Sequence, residues 1–395
     1  MVQFTDEQEE LINQAINWFL NSSEQVYQYS GRAGTGKSVV MNEIIKRLGM
    51  STADIAPMAY TGAAAIVMRT KGLHNAKTIH SWLYEPEIVY DYSKPPDYLN
   101  RYPTKLVFNK KPLPEWKRLI CIDEASYVPM SMKQDLLDTG VKILACGDLN
   151  QLPPVIGTPA FLNDNKIFHL TQIMRQKEDS AIVYLANRIL NDEIIEPGHY
   201  GSVYVCFPED ITDSMLFYSD VIISGYNKTR DFYNCRLREL NNIDPNDKMP
   251  HHGEKLICRK NNWTFDVDGI NLANGLSGIV YSYPDVTCYD GNVYIIDFKP
   301  NMFDIIFKDI KCNADFFRGD KDIKERIRNS KYGIKGELFE LGYSITTHLS
   351  QGSQFIHGIY ISEYMSPEIN KKLDYTGITR FSNTCFYILK KRKFW

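Results

Sequence analysis

Two stretches of this 395-residue chain carry residue types whose spacing can do chemistry. Gly31-Arg32-Ala33-Gly34-Thr35-Gly36-Lys37-Ser38 fits the pattern G-x-x-x-x-G-K-[ST], after a strand-like run and before a helical one. Glycines in such a turn let backbone N–H groups converge on an anion at a helix N-terminus. Lys37 would then reach the outer phosphates of a nucleotide, and the Ser38 hydroxyl would ligate Mg²⁺. Further on, Leu119-Ile120-Cys121-Ile122 is an apolar run that ends in Asp123 and Glu124. That placement brings Asp123 towards the same metal and Glu124 towards an attacking water, so the pair predicts hydrolysis rather than binding alone. An acidic pair after a strand is also a common surface turn, and its meaning here comes from the loop that precedes it.

These groups need strands and helices to hold them. Leu11, Ile12, Ala15, Ile16, Phe19 and Leu20 recur at helical spacing after Thr5, a plausible N-cap, which predicts a helix over residues 6–20. Val26 to Ser30 reads as a short strand and Val39 to Leu48 as the helix after the glycine-rich loop. Ser51 to Ala59, Leu119 to Ile122 and Lys142 to Cys146 are further strand-like runs separated by helical stretches, the pattern of a parallel sheet covered on both faces. Residues 84–116 interrupt it with prolines interleaved with tyrosines, predicting an irregular or β insertion. A second α/β alternation follows with Val221 to Ser224, Thr229 to Leu240, Gly358 to Ser362 and Cys385 to Leu389. Within it, Gly278 to Tyr283, Val293 to Phe298 and Phe303 to Phe307 predict a β-rich insertion over 251–339.

Composition bounds the rest. With 44% hydrophobic and 24% charged residues, the chain reads as an ordinary globular protein of several domains. No apolar stretch is long enough to span a bilayer, and the acidic start, with Asp6, Glu7, Glu9 and Glu10, does not read as a signal peptide. An intracellular, cytoplasmic location is the expectation, the host cytoplasm if the source is viral. The eight cysteines are scattered singly, which predicts free thiols and no structural zinc. A net charge of −3 advertises no global attraction to nucleic acid, although Arg318 to Lys335 holds seven basic residues against three acidic ones. That run reads equally as a solvated helix face.

The ordered set of short blocks resembles the superfamily 1B DNA helicases of the RecD and Dda type across nearly the whole chain. Phe4-Thr5-Asp6-Glu7-Gln8 is similar to the Q motif, which implies that Gln8 reads the adenine edge. Tyr60 to Ala65 and Lys77 to Ser81 resemble blocks that touch DNA from the first core, implying contacts by Thr61, Thr78 and His80. Gly147 to Pro154 resembles the block whose glutamine senses the γ phosphate, here Gln151, and Leu170 to Gln176 the block with a phosphate-binding arginine, here Arg175. Past the midpoint, Gly225 to Thr229 and Thr346 to Ser353 imply DNA contacts by Asn227, Thr347 and His348 and a nucleotide contact by Gly352. Tyr375 to Arg380 resembles Y-V-A-x-T-R, which makes Arg380 the arginine finger. Two positions depart from the pattern: Leu349 replaces a lysine, and Thr376-Gly377 replaces a small apolar pair, a change expected to affect only packing.

Taken singly, Thr61, Thr78 and Asn227 also read as helix caps, and His80 and His348 as core histidines. The resemblance implies two RecA-like P-loop cores with parallel sheets, over 1–83 with 117–170 and over 171–250 with 340–395. It also implies a pin-like insertion at 84–116 and an SH3-like β-rich one at 251–339. Expected ligands are ATP and Mg²⁺, the latter on Ser38 and Asp123, with the whole loop from Gly31 to Ser38 around the phosphates. Expected partners are single-stranded DNA and its junctions with duplex, and replication or recombination proteins; the chain is expected to act as a monomeric motor that moves 5′ to 3′ and meets no membrane. A translocase that does not separate strands shares every motif. A P-loop kinase or metabolic ATPase would lack the blocks from Gly147 to Arg380, and a non-catalytic nucleotide-binding module would be expected to lose Glu124 or Arg380.

Overall fold

The computed structural model describes residues 3–93, 95–96, 102, 104–154, 157–163, 166–172, 181–247, 249–267, 270–283, 293–301, 303–330 and 334–390. Thr5 opens the first helix, α1 (Asp6–Asn21), with a reciprocal cap: its hydroxyl accepts the Gln8 N–H at 3.2 Å, and the Gln8 amide oxygen accepts the Thr5 N–H. Leu11, Ile12, Ala15 and Trp18 form its buried face. At its other end Lys142 Nζ donates to the carbonyls of Trp18, Ser22 and Glu24, a cation set on the negative end of the helix.

β-branched and aromatic residues then build β1 (Val26–Gly31), followed by α2 (Lys37–Arg47), β2 (Ile55–Ala59), α3 (Gly62–Thr70), β3 (Lys77–Thr78) and α4 (Ile79–Leu83). Next comes an antiparallel hairpin, β4 (Tyr84–Tyr90) and β5 (Thr104–Lys110). The chain continues through β6 (Leu119–Ile122), α5 (Lys133–Leu137), β7 (Lys142–Gly147) and β8 (Phe168–Leu170). Outside the hairpin, these strands form a parallel sheet in the order β3-β2-β6-β7-β1-β8. Strand β6 is buried along its whole length, which is why its sequence is an unbroken apolar run. Because only β7 separates β1 from β6, the loops at the C-terminal ends of all three open on one edge of the sheet.

A second sheet repeats the arrangement. After α6 (Ala181–Leu190) come β9 (Gly198–Tyr200), β10 (Val203–Cys206), α7 (Asp213–Tyr218), β11 (Val221–Ser224) and α8 (Asn227–Leu240). The chain then builds β12 (Lys255–Cys258), β13 (Asn262–Val267), β14 (Ile270–Leu272), β15 (Ser277–Ser282), β16 (Val293–Pro300), β17 (Phe307–Asn313), α9 (Ala314–Arg318), α10 (Lys321–Arg328) and β18 (Phe339–Leu341). It ends with β19 (Ser344–Thr346), β20 (Phe355–Ile361), α11 (Pro367–Ile378) and β21 (Phe381–Ile388). The second sheet runs β19-β11-β20-β21-β10-β9, with β10, β21, β20 and β11 mutually parallel and β9 antiparallel at the edge. Strands β17-β16-β15-β12-β18 form a separate antiparallel sheet, beside the β13-β14 ribbon.

The chain packs as two compact units: Met1–Leu83, Pro112–Arg230 and Ile345–Trp395 in one, Tyr84–Lys111 and Asp231–Ser344 in the other. Both six-stranded sheets belong to the first, apart from Ser344 at the start of β19. The α/β class with parallel sheets and β-rich insertions is thus the observed one. No helix among the described residues is long and apolar enough to cross a membrane.

Three local expectations change. Helix α2 begins at Lys37 rather than Val39, so Lys37 and Ser38 lie in its first turn. Between the irregular and β alternatives for the first insertion, residues 84–90 and 104–110 pair as a hairpin; Pro86 is tolerated opposite Phe108 because a two-stranded ribbon has free edges. The run Phe303 to Phe307 reads as a strand, yet β17 starts only at Phe307. The residues after Pro300 turn the chain out of β16, and Lys299 Nζ closes that turn on Asp304 at 2.8 Å.

The Thr376-Gly377 departure has half of its explanation in this core. A Cβ on Gly377 would lie 2.0 Å from Cε2 of Tyr360, whose hydroxyl donates to Asp374 Oδ1 at 2.9 Å. The ring therefore occupies the space an alanine would need. Gly377→Ala is expected to destabilise the protein by about 1–3 kcal/mol through overpacking. Urea unfolding should show a lower midpoint at unchanged slope, partly restored by Tyr360→Leu in the same chain; an unchanged midpoint for the single variant would contradict the steric account.

Candidate active site

The loop after β1 is shaped by two glycines in the left-handed region, Gly34 at φ 84° and Gly36 at φ 82°. Gly36 is the N-cap of α2 and no side chain caps that end, so the first N–H groups of the helix remain for an anion. Lys37 Nζ folds back on the loop, donating to the carbonyls of Gly31 at 2.7 Å and Arg32 at 3.2 Å. Arg32 in turn donates to Asn187 Oδ1 at 3.0 Å, and the buried Thr35 hydroxyl donates to the Arg32 carbonyl at 2.9 Å. Gln8 is buried here, its Nε2 donating to the Thr35 carbonyl at 3.0 Å and its oxygen occupied in the α1 cap. Through one bond at each end of its amide, Gln8 ties the start of α1 to the loop.

Asp123 follows β6 at the same edge. Its Oδ2 accepts the Ser38 hydroxyl at 3.0 Å, and its Oδ1 accepts the Glu124 N–H at 2.9 Å and the Cys146 thiol at 3.2 Å. Burial alone would raise its pKa, but the Lys71 and Lys37 ammoniums and the Cys146 thiol hold the carboxyl below its ordinary value. Glu124 is the next residue and takes φ 52°, a left-handed conformation uncommon for a side-chain-bearing residue and a recurrent mark of functional sites. Burial pushes its carboxyl above the ordinary value; the Arg380 guanidinium opposes that shift and the neighbouring Asp123 adds to it. Glu124 Oε2 is buried without a hydrogen bond.

The opposite wall comes from the second sheet. Arg380, 4% exposed and just beyond α11, directs Nη1 to 4.0 Å from Glu124 Oε1. The guanidinium is held in place by the carbonyls of Thr376 at 3.1 Å and Ser353 at 3.4 Å. Gln151, buried in the loop after β7, accepts the Tyr127 hydroxyl. Gly352 packs so closely on Thr61 that a Cβ would lie 2.6 Å from its hydroxyl. A cavity of about 570 Å³ gathers these groups: Gly34, Lys37, Ser38, Asp123, Glu124, Gln151, Gly352 and Arg380 all line it. Ser38 and Asp123 present hard oxygen donors side by side, the chemistry that suits Mg²⁺. Arg175 lies outside the described residues.

The residues expected to touch DNA sort differently. Thr61 caps α3, its hydroxyl accepting the Ala64 N–H at 3.2 Å, and Thr78 accepts the Ser81 N–H at 3.1 Å at the start of α4. Asn227 is exposed in the first turn of α8. His80 and His348 are half-buried, and burial lowers both imidazole pKa values, so each is neutral near pH 7 and offers no charge to a phosphate. Thr347 is fully buried, with its N–H at 2.8 Å and its hydroxyl at 3.1 Å both donating to the Ser224 carbonyl. A direct contact with a strand is therefore corrected to an interior role, since no part of the hydroxyl reaches the surface.

Three participants had been given no role at the site. Lys71, exposed at the end of α3, places Nζ 3.2 Å from Ser38 Oγ and lines the cavity. A helix C-terminus favours a basic residue anyway, so nothing in the sequence separates Lys71 from an ordinary cap. The Tyr375 hydroxyl accepts the Ala33 N–H at 2.8 Å and donates to Asp148 Oδ2 at 2.5 Å. Thr376 corrects an expectation: its hydroxyl accepts the Leu152 N–H at 2.9 Å, so the departure from a small apolar residue adds a hydrogen bond as well as altering packing. Its one sequence signal was that departure itself.

Residues 3–197 match the family described as AAA domain. The ATP-dependent DNA helicase PIF1 of Candida albicans is 27% identical over 201 residues, 42% of this chain and 21% of that protein. The ATP-dependent DNA helicase RRM3 of Saccharomyces cerevisiae is 28% identical over 280 residues, 63% of this chain and 34% of that protein. The chain thus spans between a fifth and about a third of these curated relatives. Among solved structures, the Pif1 helicase from Candida albicans matches with a TM-score of 0.56 at 18% identity, covering 99% of this chain and 95% of that one. The Bacteroides Pif1 helicase in complex with ADP-AlF3 and ssDNA matches with a TM-score of 0.56 at 17% identity, over the same shares. Likeness at this identity is likeness of fold, and over part of its length the chain is similar in sequence to the PIF1 and RRM3 helicases.

Proposed function

We propose that this chain is an ATP-dependent DNA helicase that translocates on single-stranded DNA and couples hydrolysis to strand separation. One observation carries the reading: Arg380, delivered from the second sheet, faces the carboxylate of Glu124 in the cavity that also holds Lys37, Ser38 and Gln151. A nucleotide-binding protein with no motor role has no need of a cation from a second core. The names of the PIF1 and RRM3 relatives support the same reading.

In this mechanism the N–H groups at the start of α2 and the Lys37 ammonium hold the β and γ phosphates, Lys37 exchanging its loop carbonyls for phosphate oxygens. Ser38 and Asp123 hold Mg²⁺, which when bound neutralises charge on the phosphate oxygens. Glu124 takes a proton from the attacking water; its raised pKa makes it a stronger base than an exposed carboxylate. Arg380 stabilises charge that develops on the transferring group, and Gln151 registers whether the γ phosphate is present. Cation and sensor sit on different sheets, so the γ phosphate draws the cores together and its loss releases them. Single-stranded DNA is held through its backbone with bases stacked on rings. The hairpin β4-β5, with Ile88 and Tyr90 exposed and Tyr92 stacked edge-on against Tyr102 at 4.8 Å, is suited to act as the separating pin.

Lys37→Ala is expected to abolish turnover, and Glu124→Gln to keep nucleotide and DNA binding while losing it; near-normal hydrolysis by either purified variant would overturn the assignment. Arg380→Ala should slow hydrolysis on the order of 10³-fold with little effect on ATP affinity. It should also move the acid limb of the pH–rate profile upward. Glu124 must be ionised to act, so activity is lost as pH falls through its pKa, and removing the guanidinium takes away the influence that holds that pKa down. An acid limb that stays in place in the residual activity would contradict Glu124 as the base. From the family resemblance, unwinding should require a 5′ single-stranded tail; a chain that opens 3′-tailed duplexes and leaves 5′-tailed ones intact would reverse the polarity, and one that hydrolyses ATP on single strands yet opens neither would be a translocase.

A further inference from the structure

The end of α11 and the residues just after it are tied to three parts of the active site. Tyr375 bridges the phosphate-binding loop and the loop after β7, accepting the Ala33 N–H at 2.8 Å and donating to Asp148 Oδ2 at 2.5 Å. Thr376 accepts the Leu152 N–H at 2.9 Å, one residue past Gln151. Arg380 is held by the Thr376 carbonyl at 3.1 Å while facing Glu124. All of these contacts are buried or nearly so, and they join the two sheets of one compact unit.

Both ends of the connection are stiff. On the second sheet, Asp374 accepts the Tyr360 hydroxyl at 2.9 Å and the Ser362 hydroxyl at 3.0 Å, which fixes the helix turn from which Tyr375 and Thr376 project. On the first, Asp148 Oδ1 accepts the Asn150 N–H at 2.9 Å and its side-chain amide at 3.1 Å, and the Asp148 carbonyl accepts the Gln151 N–H at 3.3 Å, forming a tight turn that carries Gln151. A displacement of α11 is therefore transmitted to Gln151 and to the phosphate-binding loop at once.

We propose that Tyr375 and Thr376 are positioning residues, a two-point hydroxyl latch that sets Arg380 and Gln151 in register with the phosphate-binding loop. The proposal rests on the ATPase reading above. Neither hydroxyl touches the reacting atoms; each acts through the backbone that places a group that does. Binding of nucleotide in the ground state relies on the uncapped start of α2 and on Lys37, which the latch does not supply. Its loss should therefore appear in turnover and not in affinity.

The test compares the wild-type chain with Tyr375→Phe, Thr376→Val and Thr376→Ser in steady-state ATP hydrolysis with saturating single-stranded DNA, alongside binding of a non-hydrolysable ATP analogue and thermal unfolding. Tyr375→Phe keeps the ring, and Thr376→Val keeps the shape. The expected result is a kcat about 10- to 100-fold lower for Tyr375→Phe, the scale of a misplaced catalytic group, a smaller loss for Thr376→Val, and KM and analogue affinity within about 3-fold of wild type. Thr376→Ser, which retains the hydroxyl, should recover most of the wild-type kcat. Wild-type kcat in both Tyr375→Phe and Thr376→Val would overturn the latch alone. So would a loss confined to KM, or a loss of kcat that follows a fall in folded fraction and is shared by Thr376→Ser. A wild-type chain without nucleotide hydrolysis would instead overturn the ATPase reading and the latch with it.

Discussion

Two adjacent carboxylates, the buried Asp123 and the half-buried Glu124, stand at the end of one apolar strand, and much of the structure answers the electrostatic problem they create. An ionised carboxylate taken out of water costs several kcal/mol unless it meets opposite charge or donors. Here the compensation comes from far apart in the chain: Lys37 in the first turn of α2, Lys71 at the end of α3, the Cys146 thiol on β7 and Arg380 after α11. The two acids are served unequally. Asp123 receives the Ser38 hydroxyl, a backbone N–H and the thiol, whereas Glu124 Oε2 has no hydrogen bond and the nearest guanidinium nitrogen to Oε1 is 4.0 Å away. The first environment suits a metal ligand and the second a base.

This asymmetry depends on backbone as much as on side chains. Glu124 takes a left-handed backbone conformation, and the two residues adjacent in sequence meet different surroundings. The left-handed glycines at 34 and 36 leave the start of α2 without a cap, so its N–H groups are kept for a ligand. Sheet order does the remainder: with only β7 between β1 and β6, the phosphate-binding loop, the acidic pair and the Gln151 loop leave the same edge.

The second sheet meets that edge through α11, whose sequence departs from the Y-V-A-x-T-R pattern in two neighbouring positions that answer different demands. Gly377 leaves room for the Tyr360 ring, while Thr376 supplies a hydroxyl to the Leu152 N–H. Tyr360 and Asp374 lock the helix to its own sheet, and Tyr375 and Thr376 lock it to the other. Packing inside one core and coupling between the two are thus written into four consecutive residues.

What the sequence by itself determined was local. The G-x-x-x-x-G-K-[ST] spacing, the apolar run before Asp123 and the alternating strand and helix periodicities each depend on neighbours a few residues apart; β1, β6 and β7 stand where those patterns put them, and α2 starts two residues earlier. The order of blocks added Gln151, Gly352 and Arg380, which share one cavity with the phosphate-binding loop. Tertiary structure decided which polar residues face that cavity and which are spent inside the fold. Thr347 carries a motif residue's type yet gives both of its donors to Ser224, and Gln8 joins a helix cap to a loop carbonyl. Lys71, Tyr375 and Thr376 join the site through contacts with residues 33, 227 and 224 positions away, Lys71 by a long side chain reaching back to Ser38. Hydrogen bonds act over about 3 Å in space whatever the separation along the chain, and no local pattern of residue types records which distant partner a buried hydroxyl or ammonium will meet.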